Sequence, residues 1–316
     1  MSVRTLNYPF QLVNSVNNQR NPIKPRAPNP TFSVKSSILL RTDENTNLPD
    51  SDAIDGSLER GLSGSILNQL NTVGIVGGVS ATSTLNFLKR IVGWSSVDGE
   101  ETLPFVLCNN PELNRELSNR ERGKARANFD SEAIVKKLRR KREFLERSGA
   151  RCIVMPCHFS HSWHSEVSEG CSVPFLNMAE CVTSELKEAD LKPIEAGSCL
   201  RIGLLAPEAT LNAGFYQEQL QSQGFEVVLP DKATMEHTMF PAMEALRRKD
   251  IEGGRNLLRI AFRVLLVRAV NTVVLASDDM LGLLPKDDPL LKKCVDPMDA
   301  LARATVNWAR TQGNRA

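Results

Sequence analysis

Short apolar runs rich in β-branched residues alternate with longer amphipathic runs along most of this chain, and this alternation constrains its fold most strongly. The apolar runs have the length of strands, and the amphipathic runs repeat apolar residues at helical spacing. The predicted strands are Val73–Val76, Phe105–Cys108, Cys152–Met155, Ile202–Leu205, Glu226–Leu229 and Thr272–Leu275. The predicted helices are Ala81–Val92, Ser131–Arg147, Asn177–Ala189, Asn212–Gln223 and Met235–Val270, the last broken near Gly253 and Gly254. This order predicts an α/β fold whose parallel sheets are covered by helices on both faces, with ligands at the carboxyl ends of the strands.

A basic run lies inside the second predicted helix. Residues 136–142 read KKLRRKR, which is typical of a nuclear signal, of a phosphate-binding patch or of a solvated helix face. The apolar residues at helical spacing around the run are Ile134, Val135, Leu138, Phe144 and Leu145. Because they supply a face to bury, we interpret the basic residues as the solvated face.

Charge is distributed unevenly along the chain. Residues 1–42 contain six Lys or Arg and no acid, so the 39 basic residues of the whole chain leave 33 against 37 acidic ones from Asp43 onward. This balance disfavours a nucleic-acid partner. The leader is rich in Ser, Asn and Pro, which is typical of an organellar transit peptide or of a disordered tail. We predict that residues 1–45 are a chloroplast transit peptide and that 46–70 are a linker.

Neither a metal nor a membrane partner is expected. The seven cysteines are irregularly spaced and form no CxxC pair, which argues against a disulfide framework or a structural zinc site. His158, His161 and His164 are spaced to share a helix face, but no cysteine or carboxylate matches that spacing, so no metal site is predicted. Arg263 and Arg268 interrupt the longest apolar stretch, which is too short to span a bilayer.

Motifs with functional potential lie at several of the predicted strand ends. They are VGIVGGVSATST at 73–84, CNNPELNR at 108–115, VMPCHFSH at 154–161, GLLAPEAT at 203–210 and VDPMDALA at 295–302. Together these segments resemble the cofactor-independent aspartate/glutamate/hydantoin racemase superfamily, and the leader suggests a plant plastid-type member. The resemblance therefore covers nearly the whole mature chain, from about Thr72 to Trp308.

The resemblance implies a particular architecture. Two pseudo-symmetric, doubly wound domains enclose the active site in the cleft between them, the first formed by 71–176 plus 298–316 and the second by 177–297. It also implies that no cofactor, and in particular no pyridoxal phosphate, takes part. The expected ligand is a small amino acid or dicarboxylate, and a homodimer is compatible with the family.

The family's chemistry uses two thiols that flank the α-carbon of the substrate, one removing a proton and the other delivering one. Cys157 matches the first thiol. Ser277 stands where the family has the second, because residues 276–279 read Ala-Ser-Asp-Asp in place of Gly-Cys-Thr-Glu. Asp278 or Asp279 could act as the base instead, or could cap the helix that follows.

The resemblance also implies a set of substrate-binding residues. Besides the catalytic candidates Cys157 and Ser277, the expected binding residues are Ser80, Asn110, Arg115, His158, Ser160, Thr210 and Asp278. His158 stands where the family usually has Asn. Arg247 lies on a helix where relatives can place a substrate-facing basic residue, and a solvated position is equally compatible with the sequence.

Three functions fit these observations. The first is an amino-acid racemase of the EC 5.1.1 type that acts on aspartate-like or glutamate-like substrates through Cys157. The second is a decarboxylase or isomerase on the same scaffold that needs one thiol. The third is a catalytically degenerate protein that binds a dicarboxylate or an amino acid.

Overall fold

The computed structural model describes residues 69–96, 103–121, 131–194, 197–277 and 279–313. Every described residue belongs to one compact unit. The predicted transit peptide, nearly all of the predicted linker and Asp278 lie outside the described residues.

Two parallel sheets form the framework of the described unit. The first contains β1 (Val73–Val76), β2 (Phe105–Cys108) and β3 (Cys152–Val154) in the order β2-β1-β3. The second contains β4 (Arg201–Leu205), β5 (Glu226–Val228), β6 (Thr272–Leu275) and β7 (Cys294–Val295) in the order β5-β4-β6-β7. The α/β class and the parallel sheets are confirmed, and the six predicted strands agree with the structure to within one residue at each end. The two-residue strand β7 was not predicted.

Helices connect the strands. They are α1 (Ala81–Ser95), α2 (Pro111–Glu121), α3 (Ser131–Arg147), α4 (His164–Ser168), α5 (Met178–Glu188), α6 (Glu208–Ala213), α7 (Phe215–Ser222), α8 (Lys232–Thr234), α9 (Phe240–Arg247), α10 (Ile251–Val267) and α11 (Pro297–Gly313). Shorter segments are the 3-10 turns Phe159–Trp163, Leu281–Leu283 and Pro289–Lys293, and the π-helical turn Met235–Met239. The α11 helix packs on both α1 and α5.

Two of the predicted helices are interrupted at positions other than those predicted. The segment 212–223 is split between α6 and α7 at Gly214, whose φ of 76° is left-handed and readily adopted by glycine. The long segment 235–270 does not break at its glycine pair. It breaks at Lys249, with φ 62°, and restarts where the Asp250 side chain accepts a hydrogen bond from Gly253 N at 2.9 Å. Gly253 therefore belongs to the first turn of α10, which Asp250 caps.

The interpretation of the basic run as a solvated face was wrong for two of its residues. Lys141 and Arg142 are buried, whereas Phe144, expected inside, is 42% exposed. Arg142 reaches the Glu169 carbonyl at 3.0 Å and the Glu146 carboxylate at 3.5 Å, and these partners compensate for its burial.

Three hydrophobic clusters fill the interior. One cluster joins the two sheets, since it contains Val73 and Ile75 of β1 together with Ile202 and Leu204 of β4. The other two clusters belong to one sheet each, and Cys157 is buried in the cluster of the first sheet. No described helix has the length and apolar character needed to cross a membrane.

Candidate active site

Cys157 lies in the loop that leaves the carboxyl end of β3, as predicted from its motif. It is fully buried, and its N–H donates to the Met155 carbonyl at 2.8 Å. The Ser160 hydroxyl donates to Cys157 Sγ at 2.9 Å, and the Ser160 N–H donates to the same sulfur at 3.4 Å. Because both donors point at the sulfur, they stabilise negative charge on it.

The loop after β1 lies directly against the Cys157 loop. A Cβ placed on Gly78 would come within 3.0 Å of the Cys157 Cβ, and it would lie 3.0 Å from the Pro156 carbonyl oxygen and 3.2 Å from Cys157 Sγ. Only a residue without a side chain fits this approach, which explains the glycine. Two residues on, Ser80 begins α1 and accepts a hydrogen bond from Ser83 N at 3.0 Å.

A cleft of about 300 Å³ lies between residues of the two halves. Ser80, Ser118 and Glu121 line it from the first half. The lining from the second half includes Arg247, Ser277 and Asp279. The cleft therefore combines the amino end of α1, one guanidinium, two carboxylates and hydroxyl groups. Its volume suits a small polar molecule.

Ser277 follows β6 and is only 7% exposed. It lines the cleft and also a smaller cavity that contains His158, Arg90 and Asp296. Cys157 is not among the described residues that line the cleft, whereas Val79, which does line it, packs on the hydrophobic cluster that contains Cys157. In this conformation the thiol is therefore closed off from the cleft by the loop after β1.

The remaining candidates fall into two groups. Ser160 and His158 lie beside Cys157, and Thr210 lies on α6, which packs against the 3-10 turn Phe159–Trp163. Thr210 is fully buried, and its hydroxyl oxygen has no hydrogen-bond partner among the described residues. A buried hydroxyl without a partner is costly, so its position near the Cys157 loop is consistent with a polar binding role.

Asn110 and Arg115 form the second group and, like Ser160, His158 and Thr210, are not among the described residues that line the cleft. Asn110 caps α2, since its side-chain oxygen accepts from Glu112 N at 2.8 Å and from Leu113 N at 3.1 Å. Arg115 is exposed on α2 and is not among the described residues lining the cleft. Substrate binding by these and by the other candidate residues stays a prediction.

The structure adds residues that the sequence reasoning missed. Ser118 and Glu121 lie three positions apart at the end of α2 and so share a helix face, but no motif marked them. Arg247, for which two positions were open, lines the cleft and forms an ion pair with Glu244 at 2.8 Å. Tyr216 had no sequence signal, because its contact with His158 joins residues 58 positions apart.

His161 supports the Cys157 loop, as its position in the motif suggested. Its Nε2 is 2.9 Å from the carbonyl oxygen of Met155. Burial, and then the neighbouring His164, hold the pKa of His161 well below its usual range, so the neutral ring donates Nε2–H to that carbonyl. Within the described ranges, no group of three or more His, Cys, Asp or Glu is placed to hold a metal ion.

Two parallel sheets with a buried thiol at a strand end and a polar cleft between the halves define an α/β protein with the fold of the aspartate racemases. The aspartate racemase of Picrophilus torridus superposes with a TM-score of 0.59 at 23% identity, covering 76% of this chain and 94% of that one. An aspartate racemase homologue from Pyrococcus horikoshii superposes with a TM-score of 0.62 at 19% identity, covering 76% and 99%.

The sequence comparison identifies the family. Residues 76–305 match the Asp/Glu/Hydantoin racemase family, and the chain belongs to it. It is also 29% identical to the broad specificity amino-acid racemase RacX of Bacillus subtilis over 87 residues, which are 28% of this chain and 34% of that protein. An uncharacterised protein of Pectobacterium carotovorum is 25% identical over 154 residues, 48% of this chain and 97% of its own length.

Proposed function

We propose that this chain is a cofactor-independent racemase that moves the α-proton of a small amino acid, of the aspartate or glutamate type, through Cys157. The observation that carries the proposal is the Cys157 site in a chain of this family: a thiol at the carboxyl end of β3 with two donors from Ser160 aimed at its sulfur. In the reaction the thiolate takes the α-proton, and the electron pair left on carbon is delocalised into the α-carboxylate. Reprotonation from the opposite face inverts the centre.

The charges of the cleft favour an amino acid over a simple dicarboxylate. Arg247 and the amino end of α1 suit a carboxylate. Glu121 and Asp279 suit an ammonium group. A dicarboxylate without an amine offers these two carboxylates no ammonium group and adds a second negative charge to the cleft. RacX, with which this chain shares 29% identity over part of its length, is described as a broad specificity amino-acid racemase.

Access to the thiol requires a conformational change. Cys157 lies beneath Gly78 and is fully buried, so the α-carbon of a ligand in the cleft reaches the sulfur only when the loop at 77–80 moves aside. We propose that ligand binding at the amino end of α1 drives this movement. A ligand can shift such a loop only by binding the open form better than the closed one.

The test is α-proton exchange. The purified chain is incubated in deuterium oxide with each L- and D-amino acid, and α-deuterium is measured by mass spectrometry. We expect incorporation into at least one enantiomer, a loss of at least about 100-fold in Cys157→Ala for the enantiomer whose proton Cys157 removes, and an unchanged rate in Cys199→Ala, which alters an exposed cysteine. No incorporation by the unaltered chain across the panel would contradict the proposal.

Because Ser277 stands where the family has its second thiol, a reaction that needs only one thiol is a second candidate function. An example is a decarboxylation in which Cys157 protonates one face of the α-carbon. The same panel extended to α-substituted malonates separates the two functions. Carbon dioxide release without α-exchange of any amino acid would favour the decarboxylase.

We also propose that residues 1–45 direct the chain to the chloroplast, on the basis of the Pro-rich composition and the absence of acidic residues in 1–42. A fusion of these residues to a fluorescent protein should give plastid fluorescence. Cytosolic fluorescence would reject this proposal and leave the catalytic one untouched.

A further inference from the structure

Behind Ser277 lies a small cavity whose lining is unusually polar. Arg90, His158, Ser277 and Asp296 are among its lining residues, and its volume is about 10 Å³. That volume is about the room that one water molecule needs. Ser277 also lines the cleft, and its hydroxyl therefore stands between the cleft and this cavity.

His158 is held in place by a buried tyrosine. It is 3% exposed, and its Nδ1 is 2.8 Å from the hydroxyl of Tyr216, which is fully buried. The Tyr216 hydroxyl donates to Met178 Sδ at 3.0 Å, so its oxygen can accept Nδ1–H from the ring. This contact is the same for the neutral and the cationic ring. His158 can thus gain or lose a proton at Nε2 without changing its partner at Nδ1.

A half-buried carboxylate, Asp296, completes the cavity. Asp296 accepts from Arg90 at 2.6 Å and 3.1 Å, and from Met298 N at 3.0 Å. Burial raises the pKa of Asp296, whereas the charges of Arg90 and His158 act to lower it. The carboxylate is therefore close enough to His158 to stabilise a positive charge on the ring.

We propose that His158 is the acid–base partner of Ser277, and that this pair performs the proton transfer for which the family uses a second thiol. This inference rests on the proposed function. A serine hydroxyl alone is too weak an acid and too weak a base for the step, but an adjacent imidazole activates it. Tyr216 and Asp296 are positioning residues that hold the ring and its charge.

The step balances as follows. The Cα–H bond of the substrate breaks and its proton passes to Ser277 Oγ while the proton of that hydroxyl passes to His158 Nε2. The electron pair stays on the α-carbon and its carboxylate, and the imidazolium is stabilised by Asp296. The Cys157 thiol then gives its proton to the other face of the α-carbon and becomes a thiolate. In the opposite direction the thiolate takes the proton, and the imidazolium returns one through Ser277.

The experiment measures inversion and α-exchange separately in deuterium oxide. We expect His158→Gln and Ser277→Ala each to lower the rate of inversion by about 100- to 10,000-fold, which is the usual contribution of a general acid or base to a reaction rate. Both variants should keep the α-exchange of the one enantiomer whose proton Cys157 removes. The double variant should lose no more than either single variant, because the two groups act in one step. His237→Gln alters an exposed histidine and serves as the matched control.

Rescue distinguishes a chemical from a structural role. A thiol at position 277 needs no relay, so Ser277→Cys should restore inversion in the His158→Gln background. Melting temperatures check that each variant folds. If His158→Gln does not fold, Tyr216→Phe removes only the hydroxyl at Nδ1 and should lower inversion by about 10-fold with exchange retained.

The outcomes separate the two proposals. Lost inversion with retained exchange, non-additive in the double variant, supports the inference. If His158→Gln inverts its substrate as fast as the unaltered chain, the inference is overturned and the proposed function stands. The same holds if the unaltered chain exchanges the α-proton but never inverts the substrate. An unaltered chain that exchanges no amino acid overturns the proposed function, and the inference with it.

Discussion

Replacing Gly78 with alanine tests the close contact between the two loops that bound the site. The added methyl would come within 3.0 Å of the Cys157 Cβ, whereas ordinary contacts of a Cβ begin at 3.4 Å. The two groups must therefore separate by at least 0.4 Å, the difference of these distances. Neither the Cys157 Cβ nor the Pro156 carbonyl oxygen can turn aside by a change of rotamer, so the backbone has to move. Overpacking of this kind costs about 1–3 kcal/mol of unfolding free energy.

Urea denaturation followed by circular dichroism measures this cost. Gly93→Ala is the matched control, because Gly93 lies on the exposed face of α1 and its Cβ would meet nothing within 4 Å. There the same change should stabilise the chain by roughly 0.5–1 kcal/mol, since alanine has less backbone freedom to lose. Gly78→Ala should also lower α-exchange, because Cys157 moves with its loop. If Gly78→Ala unfolds at the same urea concentration as the unaltered chain and keeps its exchange rate, the argument from close contact is refuted.

Two further predictions concern buried polar groups. Thr210→Val should raise the unfolding free energy by roughly 1 kcal/mol, because it removes a buried hydroxyl that has no described hydrogen-bond partner. The control Thr305→Val should lower the unfolding free energy by about as much, because the Thr305 hydroxyl donates a hydrogen bond within its helix. A Thr210→Val variant that is less stable in urea than the unaltered chain would contradict this prediction. Although burial acts to raise it, a backbone N–H and the guanidinium of Arg259 hold the pKa of Asp288 below its usual range. A lowered carboxyl pKa stabilises the fold above the unfolded value of about 4, so the deficit of Asp288→Asn in urea unfolding should be present at pH 7 and disappear as pH falls below the folded pKa. A deficit that is equal at pH 7 and pH 3 would contradict this assignment.

The strands in the middle of each sheet were predictable because each is a short apolar run that the parallel sheet buries, whereas the edge strands β2 and β5 are partly exposed. In such sheets the whole run is apolar, so its ends are marked in the sequence; Val73–Val76 and Thr272–Leu275 agree at both ends. Helix breaks were less predictable, since a glycine pair breaks a helix only if a residue nearby adopts another conformation. At 248–250 a lysine adopts the left-handed conformation, and Asp250 caps the next helix.

Site residues in loops that directly follow a strand could be located from the sequence. Site residues whose positions depend on tertiary contacts could not. Cys157 and Ser277 follow their strands, so their loops could be located from local pattern alone. Whether Arg115 and Arg247 each reach the cleft depends on how their helices pack, and only the packing of α2 and α9 answers that. The contact between His158 and Tyr216 joins two halves of the chain, and no local spacing encodes it.

The two proton-transfer groups proposed here differ in chemistry, and this difference has a measurable consequence. Cys157 lies in an apolar cluster, whereas Ser277 borders a charged cavity. The free enzyme has two protonation forms, one that can take a proton at Cys157 and one that can take it at the Ser277–His158 pair, and these forms therefore differ in free energy. Because two enantiomers have equal free energy in water, kcat/KM must be the same in both directions when the enzyme forms equilibrate rapidly. The asymmetry then has to appear in kcat and KM separately, which should be unequal for the L and D substrates by the same factor. Ser277→Cys makes the two groups alike and should bring the two kcat values closer together. Progress curves followed by circular dichroism from each pure enantiomer measure both constants. Equal kcat values in the unaltered chain that become unequal in Ser277→Cys would contradict the reasoning.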